Sequence, residues 1–140
     1  MAPDSKTLAQ QLAALARLPV TTSVTIKRSR LSWTGELQPT PLSVTYTVRI
    51  GYAVGERAPA VTVLRPELRA DDVESLPHVY AQDRLCLCYP WQWTNGKLIA
   101  FTIVPWAAEW LLHFEFWKAT NIWHGGGHEL AVTTLGEALS

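Results

Sequence analysis

The chain has 140 residues, enough for one domain with one core, and residues 1–140 are read as a single unit. Apolar residues make up 48% and charged residues 17%, an ordinary globular balance. Twelve basic residues cancel twelve acidic ones, so no global field favours nucleic acid or an anionic membrane as partner. The densest basic cluster, Lys27, Arg28 and Arg30, reads as a solvated strand face. No run approaches the ~18 uninterrupted apolar residues of a membrane span. Met1 to Lys6 lacks the basic-then-apolar order of a signal peptide. Two cysteines at i and i+2 make no disulfide framework, so a reduced, cytoplasmic protein is expected. No cofactor is expected.

Residues 5–18 are predicted to form a helix. Leu8, Leu12 and Leu15 recur at helical spacing, Asp4 or Ser5 can cap the start, and Pro19 stops it. From residue 22 the period changes to two. Val24 and Ile26 alternate with polar residues, and Trp33 and Leu37 follow. Leu42, Val44, Tyr46, Val48, Ile50 and Tyr52 then predict one strand with a buried and a polar face. Gly55-Glu56-Arg57 is a predicted turn, and Ala60 to Leu64 a further strand ending at Pro66. A helix followed by an antiparallel meander argues for α+β. Residues 66–77 are polar and acidic and lead into a cysteine-bearing segment. After Pro90 the composition shifts: six of the seven tryptophans fall between residues 91 and 123. Pro105 suits the first position of a second helix, in which Trp106, Trp110, Phe114 and Trp117 form an apolar stripe. That helix is predicted to end near Asn121, before Gly125-Gly126-Gly127.

The segment Pro77 to Trp91 holds the chemistry. Prolines bracket it, which disfavours a helix interior or a central strand. A loop on a rigid scaffold is where reactive groups are usually displayed. Cys86 is the candidate nucleophile, since a thiol is partly ionised near neutral pH and attacks acyl carbons readily. On spacing alone, the plainer reading is that Cys86 and Cys88 are small core residues. In an extended segment the two side chains point to opposite faces, so one can be displayed while the other packs. Zinc is a third reading, with His78, Cys86, Cys88 and one of His113, His124 or His128 as ligands; cysteines at i and i+2 diverge, which counts against it. Trp91 and Trp93, ahead of the second helix, are candidates for an exposed aromatic lip that binds a partner.

Pro77-His78, with Leu85-Cys86-Leu87 eight residues on, resembles the active-site segment of ubiquitin-conjugating enzymes. There a His-Pro-Asn loop leads to a catalytic cysteine. The order of elements agrees: N-terminal helix, four-strand antiparallel meander, cysteine loop, C-terminal helix. The likeness is stronger to the bacterial branch, through Tyr89-Pro90-Trp91, Pro105-Trp106 with Glu109-Trp110-Leu111, and Trp123 with Gly125-Gly126-Gly127-His128. It covers most of the chain, most strongly residues 77–128. The oxyanion-donating asparagine of the eukaryotic enzymes has no counterpart, for Val79 and Tyr80 stand there.

The resemblance is to the conjugating proteins of short type II CBASS anti-phage operons. It implies an acyltransferase in antiviral defence. Cys86 would hold the C-terminus of a cGAS/DncV-like nucleotidyltransferase, a cyclic-oligonucleotide synthase, as a thioester and pass it to a protein amine. It assigns His78 to shaping the backbone before the cysteine and matches His128 to the histidine of the glycine run. Tyr80, a backbone amide or a histidine would take the place of the oxyanion donor. The alternative from a different class is a non-catalytic adaptor that keeps the fold and binds the nucleotidyltransferase. The reactivity of the Cys86 thiol separates the two.

Overall fold

The computed structural model describes residues 5–68, 85, 87, 92–120 and 122. Helix α1 spans Leu8–Ala16, strands β1 to β4 span Thr21–Lys27, Arg30–Leu37, Tyr46–Ala53 and Ala60–Arg65, and helix α2 spans Ile103–Thr120. A 3-10 turn at Ile99–Phe101 precedes α2. The four strands form one antiparallel sheet in sequence order, the expected meander. The α+β architecture, with a helix on either side of the meander in the chain, is therefore as expected.

α1 begins at Leu8, the first of the spaced leucines, and is shorter than the expected 5–18. Thr7 is the N-cap: its hydroxyl accepts from the Gln10 amide, and the Gln10 side chain accepts from the Thr7 amide. This reciprocal box satisfies two N–H groups that a helix start otherwise leaves open. Leu15 and, unexpectedly, Gln11 are its fully buried residues.

In β2 the odd positions Leu31, Trp33 and Leu37 face the core, and the even positions stay at least partly exposed. Gly35 completes that inward row because the Trp33 indole lies over it. A Cβ at 35 would come within 2.2 Å of the ring. The indole N–H donates to Thr21 Oγ1 at 2.8 Å, and that hydroxyl donates to the Leu15 carbonyl at 2.6 Å. One tryptophan thus ties the sheet to α1. β3 supplies Val48, Ile50 and Tyr52, paired across β2 with Gly35, Trp33 and Leu31. Each fully buried large apolar side chain contributes about 1.5–3 kcal/mol.

The predicted long third strand is shorter than its periodicity. Leu42 and Val44 are 97% and 57% exposed, and pairing begins at Tyr46, opposite Leu37. β2 ends at Leu37, so residues 38–45 have no strand to pair with. Local bonds hold them as a loop instead: Ser43 N–H to the Thr40 carbonyl, Thr40 N–H to Ser43 Oγ, and the Gln38 side chain to the Ser43 carbonyl.

α2 begins two residues before Pro105, which takes the third helical position, where a missing N–H costs nothing. Its buried face is Ile103, Val104, Ala107, Trp110, Leu111 and Phe114. Trp106 and Trp117 from the expected stripe pack on the core only partly. Trp110 stacks on Phe114 with ring centroids 5.7 Å apart. No helix among the described residues is long and apolar enough to cross a membrane.

Candidate active site

β4 is an edge strand of the sheet, and Leu85 is bonded to it. The Leu85 amide donates to the Val61 carbonyl at 2.9 Å, and Leu85 is 5% exposed within the core. Leu87 also packs against the core, partly buried. The two leucines that flank Cys86 in the chain are therefore both anchored, one by a backbone bond and burial, the other by packing. Leucines serve because each buries apolar area at little cost in rotamer freedom. Cys86 itself lies outside the described residues, as do His78, Tyr80, Cys88, Trp91, His124 and His128.

Downstream, the chain is described again from residue 92. Trp93 does not form an exposed lip. It is 2% exposed and edge-on to Tyr52, with centroids 5.2 Å apart. Its indole N–H donates to Thr102 Oγ1 at 3.0 Å, and the Thr102 hydroxyl donates on to the Leu98 carbonyl at 2.8 Å. An indole buries a large apolar area once its single donor is satisfied, and Thr102 satisfies it. The aromatic that does stand at the surface in this region is Phe101, 67% exposed.

The 95–99 stretch is fastened to α1. Gln11 Nε2 donates to the Lys97 carbonyl at 2.9 Å, and Gln11 Oε1 accepts from the Ile99 amide at 2.8 Å. The Lys6 amide donates to the Asn95 carbonyl, and Ser5 Oγ donates to Asn95 Oδ1. Neither Gln11 nor Thr102 stood out in the sequence. The one available signal for Gln11 was its place, four residues before Leu15, on the apolar side of α1.

His113, a candidate ligand in the zinc reading, is on α2 with its side chain 20% exposed and Nε2 3.7 Å from Glu109 Oε2. Among the described residues no three His, Cys, Asp or Glu side chains are grouped to hold a metal ion. Of the residues in the zinc reading, His113 alone is described.

The phenol of Tyr46 is raised far above its usual pKa, first by burial, then by its hydrogen bond to Glu115 and the charge there. Burial, and secondarily the charge of Glu56, likewise raises Tyr52. Both phenols stay protonated near neutral pH.

What the described residues provide is a sheet edge that takes the Leu85 amide, a sealed tryptophan at position 93, and a cross-braced helix. No curated protein is similar enough to the chain to count as a relative. A family model described as Type II CBASS E2 protein matches residues 11–130. That match takes in α1 from Gln11 onward, the whole meander, the cysteine segment and α2, and the chain belongs to the Type II CBASS E2 family.

Proposed function

We propose that this protein is a ubiquitin-conjugating-like cysteine acyltransferase whose nucleophile is Cys86 and whose acyl donor is the C-terminus of a CBASS nucleotidyltransferase. Membership of the Type II CBASS E2 family carries a role in CBASS defence. The observation that supports the chemistry is the backbone bond from Leu85 to Val61, which fixes the residue immediately before Cys86 to the edge of the sheet. Acyl transfer depends on holding nucleophile and acyl carbon together, and fixing the nucleophile's attachment point removes much of that entropic cost.

In this reading the Cys86 thiolate attacks the carbonyl carbon of an activated C-terminal acyl group. The donor's leaving group departs and a thioester remains. The acyl group must arrive already activated, because a thiol and a free carboxylate do not condense spontaneously in water. A protein amine then attacks the thioester, forms the amide and releases Cys86 as the thiolate. Tyr80, a backbone amide or a histidine such as His78 donates to the oxyanion in place of the absent asparagine. His128, the histidine of the glycine run, is a second supporting candidate. Trp91 remains the candidate partner contact ahead of α2, without Trp93.

The test is co-expression with the nucleotidyltransferase, followed by gels run with and without reductant. A reductant-sensitive adduct is expected in the wild type and in Cys88→Ala, and none in Cys86→Ala. Cys86→Ser is expected to trap a reductant-resistant ester. If Cys86→Ala binds the nucleotidyltransferase and protects cells as the wild type does, with no adduct in any variant, the protein is an adaptor. The absent asparagine would then be the physical reason.

A further inference from the structure

The sheet has two faces. α1 and α2 share a core with the side that carries Trp33, Val48 and Ile50. On the other side, Ser23, Thr34, Arg49 and Thr62 form one cross-strand row, and Thr25, Ser32, Gly51 and Ala60 form the next; all eight are at least partly exposed. This open face carries one cation on each strand: Lys27, Arg30, Arg49 and Arg65. We propose that it binds the phosphate backbone of double-stranded nucleic acid without reading its sequence. Nothing in the acyl-transfer reading uses this face, and the inference stands apart from that reading.

The register lines the cations up. Lys27 pairs with Arg30, and Arg30 with Ala53. Arg49 follows four residues from Ala53 along β3, and Arg65 pairs with Thr47, two residues further on. At about 3.4 Å per residue and about 4.8 Å per strand, the line from Lys27 to Arg65 crosses the sheet diagonally over about 25 Å. Arg30 reaches into the gap in that line: its Nη1 lies 3.4 Å from where a Cβ on Gly51 would stand, and Gly51 is between Ala53 and Arg49 on the same face. The hairpin tip adds Arg28. It and Ser29 form the two-residue turn with φ of 52° and 60°, the left-handed region that Asn-Gly adopts more easily. The four strand cations are spread over 38 positions of the chain (65 − 27), so equal totals of acid and base conceal a local field that the sheet assembles.

The chemistry of the face selects the ligand. Two described acids stand by these cations: Glu56, paired with Arg30, and Glu36, opposite Thr47 in the row of Arg65. Lys27, Arg49 and Arg65 form no ion pair or side-chain hydrogen bond with a described residue. Arg49 has a threonine beside it on each neighbouring strand, Thr34 and Thr62. Guanidinium groups and hydroxyls are the groups that hold phosphate oxygens. The two central rows contain no aromatic residue and no aliphatic one larger than alanine. A protein partner needs apolar anchors at the centre of its footprint. A single strand needs rings on which its bases stack. This face offers neither. A line of cations with hydroxyls between them suits a backbone that carries one phosphate per about 3.4 Å of axis on each strand.

The face is preformed. β2 and β3 pair along their whole length, from Arg30 with Ala53 to Leu37 with Tyr46. The ladders fix the attachment points of the cations, so binding orders side chains alone. The affinity is then electrostatic and falls in the range of sequence-independent contacts, about 10⁻⁴ to 10⁻⁶ M at physiological salt.

The experiment titrates the full chain into a fluorescein-labelled DNA duplex of about twenty base pairs and reads anisotropy from about 50 to 200 mM salt. Saturable binding is expected, with log K falling against log salt at a slope of about −3, as for three phosphate contacts. Arg49→Glu and Lys27→Glu are each expected to weaken binding about tenfold and to reduce the slope by about one. Both residues are exposed, so the melting temperature of either variant should be that of the wild type. Arg17→Glu makes the same change in net charge from the C-cap of α1 and is expected to leave affinity and slope unchanged. Cys86→Ala is expected to bind as the wild type does, and a duplex of scrambled sequence equally well. No binding at the lowest salt, a slope that Arg49→Glu leaves unchanged, or an equal loss in Arg17→Glu overturns the proposal. A single strand that binds more tightly than its duplex also overturns it. Poly-glutamate that binds as tightly as the duplex would make the ligand an acidic protein, and anionic vesicles that bind where the duplex does not would assign the face to a lipid surface; either result overturns the proposal.

Discussion

The two helices flank the same sheet in the chain and are held in opposite ways. α2 has eighteen residues and buries six side chains, two of them stacked aromatics. Its described long-range polar tie is Glu115, whose carboxylate accepts from Ser43 Oγ at 2.7 Å and from Tyr46 Oη at 2.8 Å. α1 has nine residues and fully buries two, one of them a glutamine. A helix that short is marginal by itself, and apart from Leu15 its leucines are only partly buried against the core. It is instead cross-braced by directional bonds through Gln11, Asn95 and Thr21. Long helices are placed by area, and short ones by a few satisfied polar groups. In this protein the second kind positions the segment that follows the cysteine.

Area should therefore give the largest loss. Leu111→Ala, at a position with no exposed surface, is expected to cost about 2–5 kcal/mol in urea unfolding. A loss under about 1 kcal/mol would mean that α2 is not anchored by its apolar face. Gln11→Ala tests the other helix. It strands the Ile99 amide and the Lys97 carbonyl and is expected to cost roughly 2–4 kcal/mol, with faster hydrogen exchange at Ile99. If exchange at Ile99 is unchanged, the cross-brace is not what holds α1.

Glu115→Gln sharpens the contrast from the α2 side. It keeps the shape but weakens both acceptor bonds, for an expected loss of about 1 kcal/mol. The same contact governs alkaline stability. Tyr46 loses its proton near pH 10 when unfolded and only at higher pH when folded. Above about pH 10 the unfolded chain thus binds fewer protons than the folded one, and stability falls as pH rises. Tyr46→Phe is expected to flatten part of that fall, with Tyr52 supplying the remainder; an unchanged slope between pH 9 and 11 would count against the assignment. The smallest effect should come from Thr7→Ala. Loss of the capping box is worth about 1 kcal/mol and should fray α1 without moving α2, as amide exchange would report.

How legible each part was follows from the reach of its cause. The strand pattern of Val48, Ile50 and Tyr52 is local, so alternation alone identified their buried face. Leu42 and Val44 continued the same alternation and are exposed, because a strand needs a partner and β2 stops at Leu37. Trp93 looked like a surface aromatic because the residue that satisfies its indole, Thr102, is nine positions away and carries no signal of its own. Phe101 lies between Leu98 and Val104 with nothing local to mark it, and it faces outward beside α1. For the site, the motif around Cys86 was legible because Leu85-Cys86-Leu87 and the motifs after it are contiguous runs whose order resembles a known family. Its anchoring at Val61 was not, since that bond joins residues far apart in the chain.

By itself, then, the amino-acid order determined the α+β architecture, the meander, the two helices and the segment that carries the thiol. Those follow from periodicity and turn chemistry, which act over a few residues. Only the tertiary structure decided where β3 begins, that Trp93 is sealed inside, that Gln11 joins Leu15 in pinning α1, and that Phe101 is left at the surface. Burial is a relation between elements. A side chain's own pattern states which way it can face, and the neighbouring element decides whether anything is there to meet it.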